Sequence, residues 1–244
     1  MSLQSKRFWE RAWIHHIENY LNAPPRFGYW LATHFSSHLH ILEIAGGSCR
    51  DSKYLADLGW RAIGSDFDDK TIEYLRARFA NSKLELRVED AFALSLPDNS
   101  VDISVHNGFW VLYRDNDKLK ALLREQARVT RTYIVAAVHN ARNRRQILKF
   151  KAKSLADPLF DIRFFDCDEL ATLIRDSGIE FTSMKFHKFG GIFDTLYQET
   201  LKGFKNPFLS ISKYVVPRLY SLQSWEYTER IVCVIELNKV KCGL

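Results

Sequence analysis

Between residues 40 and 138 five short β-rich runs alternate with helical stretches, and that alternation permits few folds. The runs are HILEI (40–44), RAIGSD (61–66), LELRV (84–88), VDISV (101–105) and TYIVAAV (132–138). DSKYLADLG, stopped by Gly59, then DDKTIEYLRARFA and DNDKLKALLREQARV lie among them, the last with Leu119, Leu122, Leu123 and Ala127 on one face. Successive parallel strands need crossovers, and amphipathic helices supply them on both faces of a sheet. The expected fold is therefore α/β, an open, doubly wound, mainly parallel sheet whose ligands sit beyond the carboxyl ends of its strands.

After residue 138 the pattern changes. A basic run follows directly, with Arg142, Arg144, Arg145, Lys149, Lys151 and Lys153 and no acidic residue among them; it reads as a grip for an anion or as a solvated helix face. In DCDELATLIRDSG, Asp166 is placed to cap a helix, with Glu169 as its capping-box partner and Gly178 as the stop. EFTSMKFHK and ERIVCVIELNKV add two strands, bringing the sheet to seven. The stretch between them, about 190–228, is rich in Phe, Tyr and Leu and reads as a helical insertion roofing a pocket. Residues 1–35 read as an N-terminal helical lid, with Trp9 and Trp13 packed inward, ahead of a single domain over 36–244. With 46% hydrophobic residues, 244 residues suffice for one sizeable core.

The first strand leads into Glu43-Ile44-Ala45-Gly46-Gly47-Ser48-Cys49. Gly46 and Gly47 bring backbone close to any ligand at this turn, and Asp66 ends the second strand, where a carboxylate can accept from ribose hydroxyls. The dinucleotide pattern G-x-G-x-x-G is absent, which argues against a nicotinamide. Four scattered cysteines show neither disulfide nor zinc spacing, so no metal and a reducing, cytoplasmic setting are expected. No apolar run reaches the length of a membrane span, and a net charge of +6 is modest.

These motifs, in this order, resemble the class I, Rossmann-like S-adenosylmethionine-dependent methyltransferases over roughly residues 38–190. Their (E/D)-x-G-x-G-x-G is similar to Glu43, Ala45, Gly47 and Cys49 here; later motifs resemble GSDFD, VEDAFALSLPDNSVDISV and FFDCDELATLIRDSGIEF. Ala45 and Cys49 stand where the family carries glycine, and Cys49 is expected to be tolerated with a negative φ. The resemblance implies S-adenosylmethionine as cofactor. It places Glu43, Ala45, Gly46 and Gly47 at the methionine end, Asp66 on the ribose, Phe67 against adenine, Asp90 and Ala91 at the adenine edge, and His106 and Asn107 on the methionine side. It also implies methyl transfer; the basic run and the aromatic insertion suggest a small-molecule acceptor, anionic or partly apolar. RNA as acceptor, and a non-catalytic cofactor-binding role, remain as alternatives. Two strands end in His-Asn, at His106-Asn107 and His139-Asn140; imidazole suits proton removal near neutrality, and His139, at the tip of the fifth strand, is the candidate base.

Overall fold

The computed structural model describes residues 8, 16–201 and 203–238; the expectation for Trp9 and Trp13 falls outside them. Five strands lie where the apolar runs predict: β1 (Ile41–Glu43), β2 (Ala62–Asp66), β3 (Glu85–Val88), β4 (Val101–Asn107) and β5 (Thr130–His139), followed by β6 (Phe181–Phe189) and β7 (Arg230–Leu237). They form one seven-stranded sheet in the order β3-β2-β1-β4-β5-β7-β6. Strands β1 to β5 are parallel, and β7 runs antiparallel between β5 and β6. The central strands are buried on both faces, which is why they read as near-continuous apolar runs rather than as alternating ones.

Helices cover both faces. On one side α1 (Arg26–His34), α2 (Arg50–Asp57) and α3 (Asp69–Arg78) bury Trp30, Leu31, Leu55 and Leu75 against the sheet. On the other, α4 (Asn116–Val129) packs Leu119, Leu122, Leu123 and Ala127 as their spacing predicts. After β5 come α5 (Arg144–Ser154) and α6 (Cys167–Arg175), and α7 (Leu209–Leu219) lies within the insertion. Asp166 caps α6 by accepting from Glu169 N at 2.8 Å. The expected reciprocal half of the capping box is replaced, because Arg163 donates to the Glu169 carboxylate. Gly59 ends the first crossover helix at φ +90°, a conformation that costs glycine little.

The insertion departs from expectation twice. It is not wholly helical, since Thr200–Leu201 and Phe204–Lys205 pair as a small antiparallel ribbon. Nor do its residues line the cavity at the carboxyl edge of the sheet. Electrostatics explains its position. Arg26, at the start of α1, donates to Asp194 of the insertion and to Glu229 just before β7, at 3.1 Å for Glu229 Oε2. Tyr220 Oη donates to Asp194 Oδ1 at 2.6 Å. Burial alone would raise the Glu229 pKa, but Arg26 and Arg230 bring it down to about 2. A partly buried ion pair of this kind costs a few kcal/mol to break from one side, so the insertion is pinned against α1.

Candidate functional site

The site is assembled by the turn that joins β1 to α2. Parallel pairing brings the ends of β1, β2 and β4 to one edge, and the chain must there reverse direction within six residues. Ala45, Gly47 and Cys49 do so with φ of +50°, +54° and +47°. The expected negative φ at Cys49 is thus overturned: all three glycine positions of the resembling motif take the left-handed conformation, two of them without glycine, at roughly 1–2 kcal/mol per residue. The space for Cys49 comes from below. A Cβ on Gly64 of β2 would sit 2.9 Å from Cys49 Sγ, and one on Gly46 would sit 2.8 Å from it. The thiol therefore fills a hole left by two glycines.

Carboxylates hold this turn from beneath. Asp66 Oδ2 accepts from Gly47 N at 2.9 Å and Oδ1 from Asp68 N at 3.1 Å. Burial pushes its pKa up to about 6 against those two N–H donors. Glu43 Oε2 accepts from Ser52 N at 2.9 Å; burial first, then the neighbouring Asp51, push its pKa up to about 7. Asp51 ties three elements together, accepting from Gly28 N of α1 at 2.8 Å and from Asn107 Nδ2 of β4 at 3.2 Å.

A cavity of about 220 Å³ opens above this edge, lined by Glu43, Ala45, Gly46, Asp66 and Asn107 at one end. His139, Phe150, Leu159, Phe160 and Ile162 line its other end. It shares Ala45, Phe67, Phe109 and Leu112 with an adjoining cavity of about 420 Å³ that reaches Asp90 and Ala91. Asp90 Oδ1 accepts from Phe92 N at 2.9 Å, and the residue is otherwise exposed to that second space. The roof comes from α5 and the segment after it, not from the insertion. Tyr20 closes one side from the N-terminal region. A larger hollow of about 530 Å³ near Lys53, Arg78 and Phe79 is a crease between helices and contains none of the convergent acids.

The two His-Asn pairs part company. His106 faces the core: its ring packs 4.7 Å from Trp110, both ring nitrogens lack partners, and burial takes its pKa to about 3. Its side chain does not line the cavity, whereas the next residue, Asn107, does. His139 does line the cavity, with its ring 4.9 Å from Phe150. Burial first, and the Arg230 guanidinium second, hold its pKa well below the usual value, so the ring is neutral. Gln146 Nε2 lies 3.2 Å from His139 Nδ1, while the buried Gln146 Oε1 has no partner. Asn140 is structural, donating to Trp225 O and Thr228 O at 2.8 and 3.0 Å.

Two cations of the cavity escaped the sequence reading. Arg230, at the start of β7, donates to Asn107 Oδ1 and lies 3.5 Å from Glu229 by its Nε. Its antiparallel strand places it beside His139, a neighbour no local motif announces. Arg50, which also lines the cavity, donates to Tyr20 O at 2.8 Å; its position directly after Cys49 was a signal. The basic run 142–153, by contrast, contributes no cation to the lining. Among the described residues no group of three or more His, Cys, Asp or Glu is placed to hold a metal ion, and no helix is long and apolar enough to cross a membrane.

Residues 41–132 match the model of a methyltransferase domain. Over 89 residues, 36% of this chain, the sequence is 32% identical to a "Probable S-adenosylmethionine-dependent methyltransferase" of Mycolicibacterium smegmatis, and the match spans 34% of that protein. Two solved structures share the fold over nearly the whole chain. A chain of the complex between the Haloferax volcanii Trm112 methyltransferase activator and "the putative methyltransferase" superposes with a TM-score of 0.64 at 14% identity, covering 98% of this chain and 100% of that one. A methyltransferase of Thermotoga maritima, described as a possible histamine N-methyltransferase, gives 0.61 at 17% identity, covering 95% and 99%.

The fit of Cys49 into Gly64 yields a direct test. Gly64→Ala is expected to destabilise the protein by about 1–3 kcal/mol, the usual range for overpacking. Cys49→Gly, nearly neutral alone because relief of the positive φ offsets the lost packing, should recover more than half of that in the double variant. Urea denaturation of the four proteins measures it, and strictly additive effects would show that the two residues are uncoupled.

Proposed function

We propose that the chain is a class I, Rossmann-like S-adenosylmethionine-dependent methyltransferase and that it methylates a small molecule held beside His139. The observation that carries the reading is a shared cavity: the glycine turn and Asp66 line one end, and His139, Phe160 and Arg230 line the rest. The residues suit the cofactor. Each Asp66 oxygen accepts one backbone N–H and so keeps capacity for a ribose hydroxyl. Gly46 presents backbone without a Cβ, and Phe67, Asp90 and Ala91 line a second space suited to a purine.

When bound, S-adenosylmethionine supplies an electrophilic methyl group on its sulfonium. The protein's part is to position an acceptor lone pair, exclude water and take up a proton. Phe150, Phe160 and Ile162 offer an apolar wall for the acceptor body, and Arg230 and Arg50 are the cations available to an acidic group on it. His139 lines the cavity beside them and is the imidazole placed to take the proton of a hydroxyl or amine.

Titration calorimetry is expected to detect binding of S-adenosylhomocysteine and none of NADH. A carboxylate accepts hydroxyl protons only when ionised, so affinity should be full above the Asp66 pKa of about 6 and fall as pH drops through it. Asp66→Asn should lower affinity by roughly ten- to a hundredfold and flatten that dependence. Binding of NADH alone, or a pH-independent wild type, would contradict the assignment. Once an acceptor is found, His139→Gln should lower kcat by about two to four orders of magnitude without changing S-adenosylhomocysteine affinity; an unaltered kcat removes His139 from the chemistry.

A further inference from the structure

The helix α5 buries none of its residues, so core packing does not explain its outer face. Arg144, Leu148, Lys151 and Leu155 recur at i, i+4, i+7 and i+11, which places them on one side. Leu148 is 67% exposed and Leu155, just past the helix, 90%. The other side is occupied: Gln146 reaches His139, Phe150 lines the cavity, and Lys153 sits 4.6 Å from the Phe160 ring centroid. From Asn140 to Ala156 the chain carries six cations and no acid. Several basic residues elsewhere are paired, as Arg114 with Asp161, Arg128 with Asp98 and Arg131 with Asp102. Among the described residues Arg144, Arg145, Lys149 and Lys151 have no such carboxylate partner, and Arg145 instead lies over the exposed Tyr227 ring.

We propose that the outer face of α5 docks on an anionic lipid surface, with Leu148 and Leu155 entering the headgroup–acyl boundary and the surrounding Arg and Lys side chains pairing with lipid phosphates. Unpaired cations around exposed aliphatic side chains are the combination that binds helices in the plane of such a surface. Charge complementarity selects this occupant. A second copy would set two basic faces against each other, and single-stranded RNA is held by aromatic faces that stack on bases, whereas the apolar groups exposed on this face are leucines. The docked helix then stands between the lipid and the cavity that its Phe150 lines. The inference does not depend on the methyl-transfer reading.

Flotation of the full chain with phosphatidylcholine vesicles, with and without phosphatidylglycerol at roughly a third of the lipid, tests it. Binding is expected only to the anionic vesicles, and it should weaken steeply as salt rises from roughly 0.1 to 0.5 M. A Leu148→Ser, Leu155→Ser variant keeps every charge and should bind at least about tenfold more weakly, with an unchanged melting temperature. An Arg144→Gln, Lys151→Gln variant should lose binding to a similar degree. No binding to anionic vesicles overturns the proposal, as does full binding by the leucine variant. An RNA oligonucleotide that binds more tightly than the vesicles, or concentration-dependent dimerisation abolished by the leucine substitutions, would assign the face to those partners instead.

Discussion

The Asp66 carboxylate, accepting the Gly47 N–H from below, is the contact on which the rest of the site depends. It joins the tip of β2 to the turn leaving β1, and it does so with a buried charge. A carboxylate in that position has been stripped of water and is only partly compensated by two N–H donors, which is why its pKa rises to about 6. Partial satisfaction of this kind leaves an acceptor ready for ligand hydroxyls. The same logic extends to Glu43, whose pKa of about 7 reflects burial beside Asp51. Both acids sit under a turn whose left-handed residues store strain, and the strain is tolerated because Gly64 and Gly46 make room for the Cys49 thiol.

From this turn a chain of polar contacts spreads to the elements that enclose the cavity. Asp51 holds α1 through Gly28 and β4 through Asn107, and Asn107 in turn receives Arg230 from β7. Arg26 connects α1 to the insertion and to Glu229. Buried charges are thereby matched, two cations to two carboxylates around Arg26 and Arg230, and the insertion becomes a buttress for α1. The roof falls to α5 and residues 158–162, where Phe150 packs on His139 and on Phe160.

Strand positions were legible because parallel strands buried on both faces must be apolar throughout, and the place of Asp66 at the end of the second strand, which the structure sets beside the glycine turn, was legible from its spacing after that turn. The outcome at the two His-Asn pairs was not. His106 lies opposite Ala136 and Asn107 opposite Ala137, so β5 continues two residues further and carries His139 out to the cavity. A one-residue alternation turns His106 inward. Only the pairing register, a property of two strands together, separates the two histidines. The site of the insertion was hidden for a similar reason, since Arg26 and its partners Asp194 and Glu229 are 168 and 203 residues apart in the chain. Cys49 misled because its φ is set by the turn, while its tolerance is set by a glycine on the neighbouring strand.

The central claim is that one cavity brings the glycine turn and His139 to the same ligand pair. A crystal structure of the complex with S-adenosylhomocysteine tests it most directly. The ribose hydroxyls are expected within hydrogen-bond distance of both Asp66 oxygens, with the adenine between Phe67 and Ala91 and the sulfur facing the space lined by His139 and Phe160. A ligand seated elsewhere, or one whose sulfur is walled off from His139, would contradict the account.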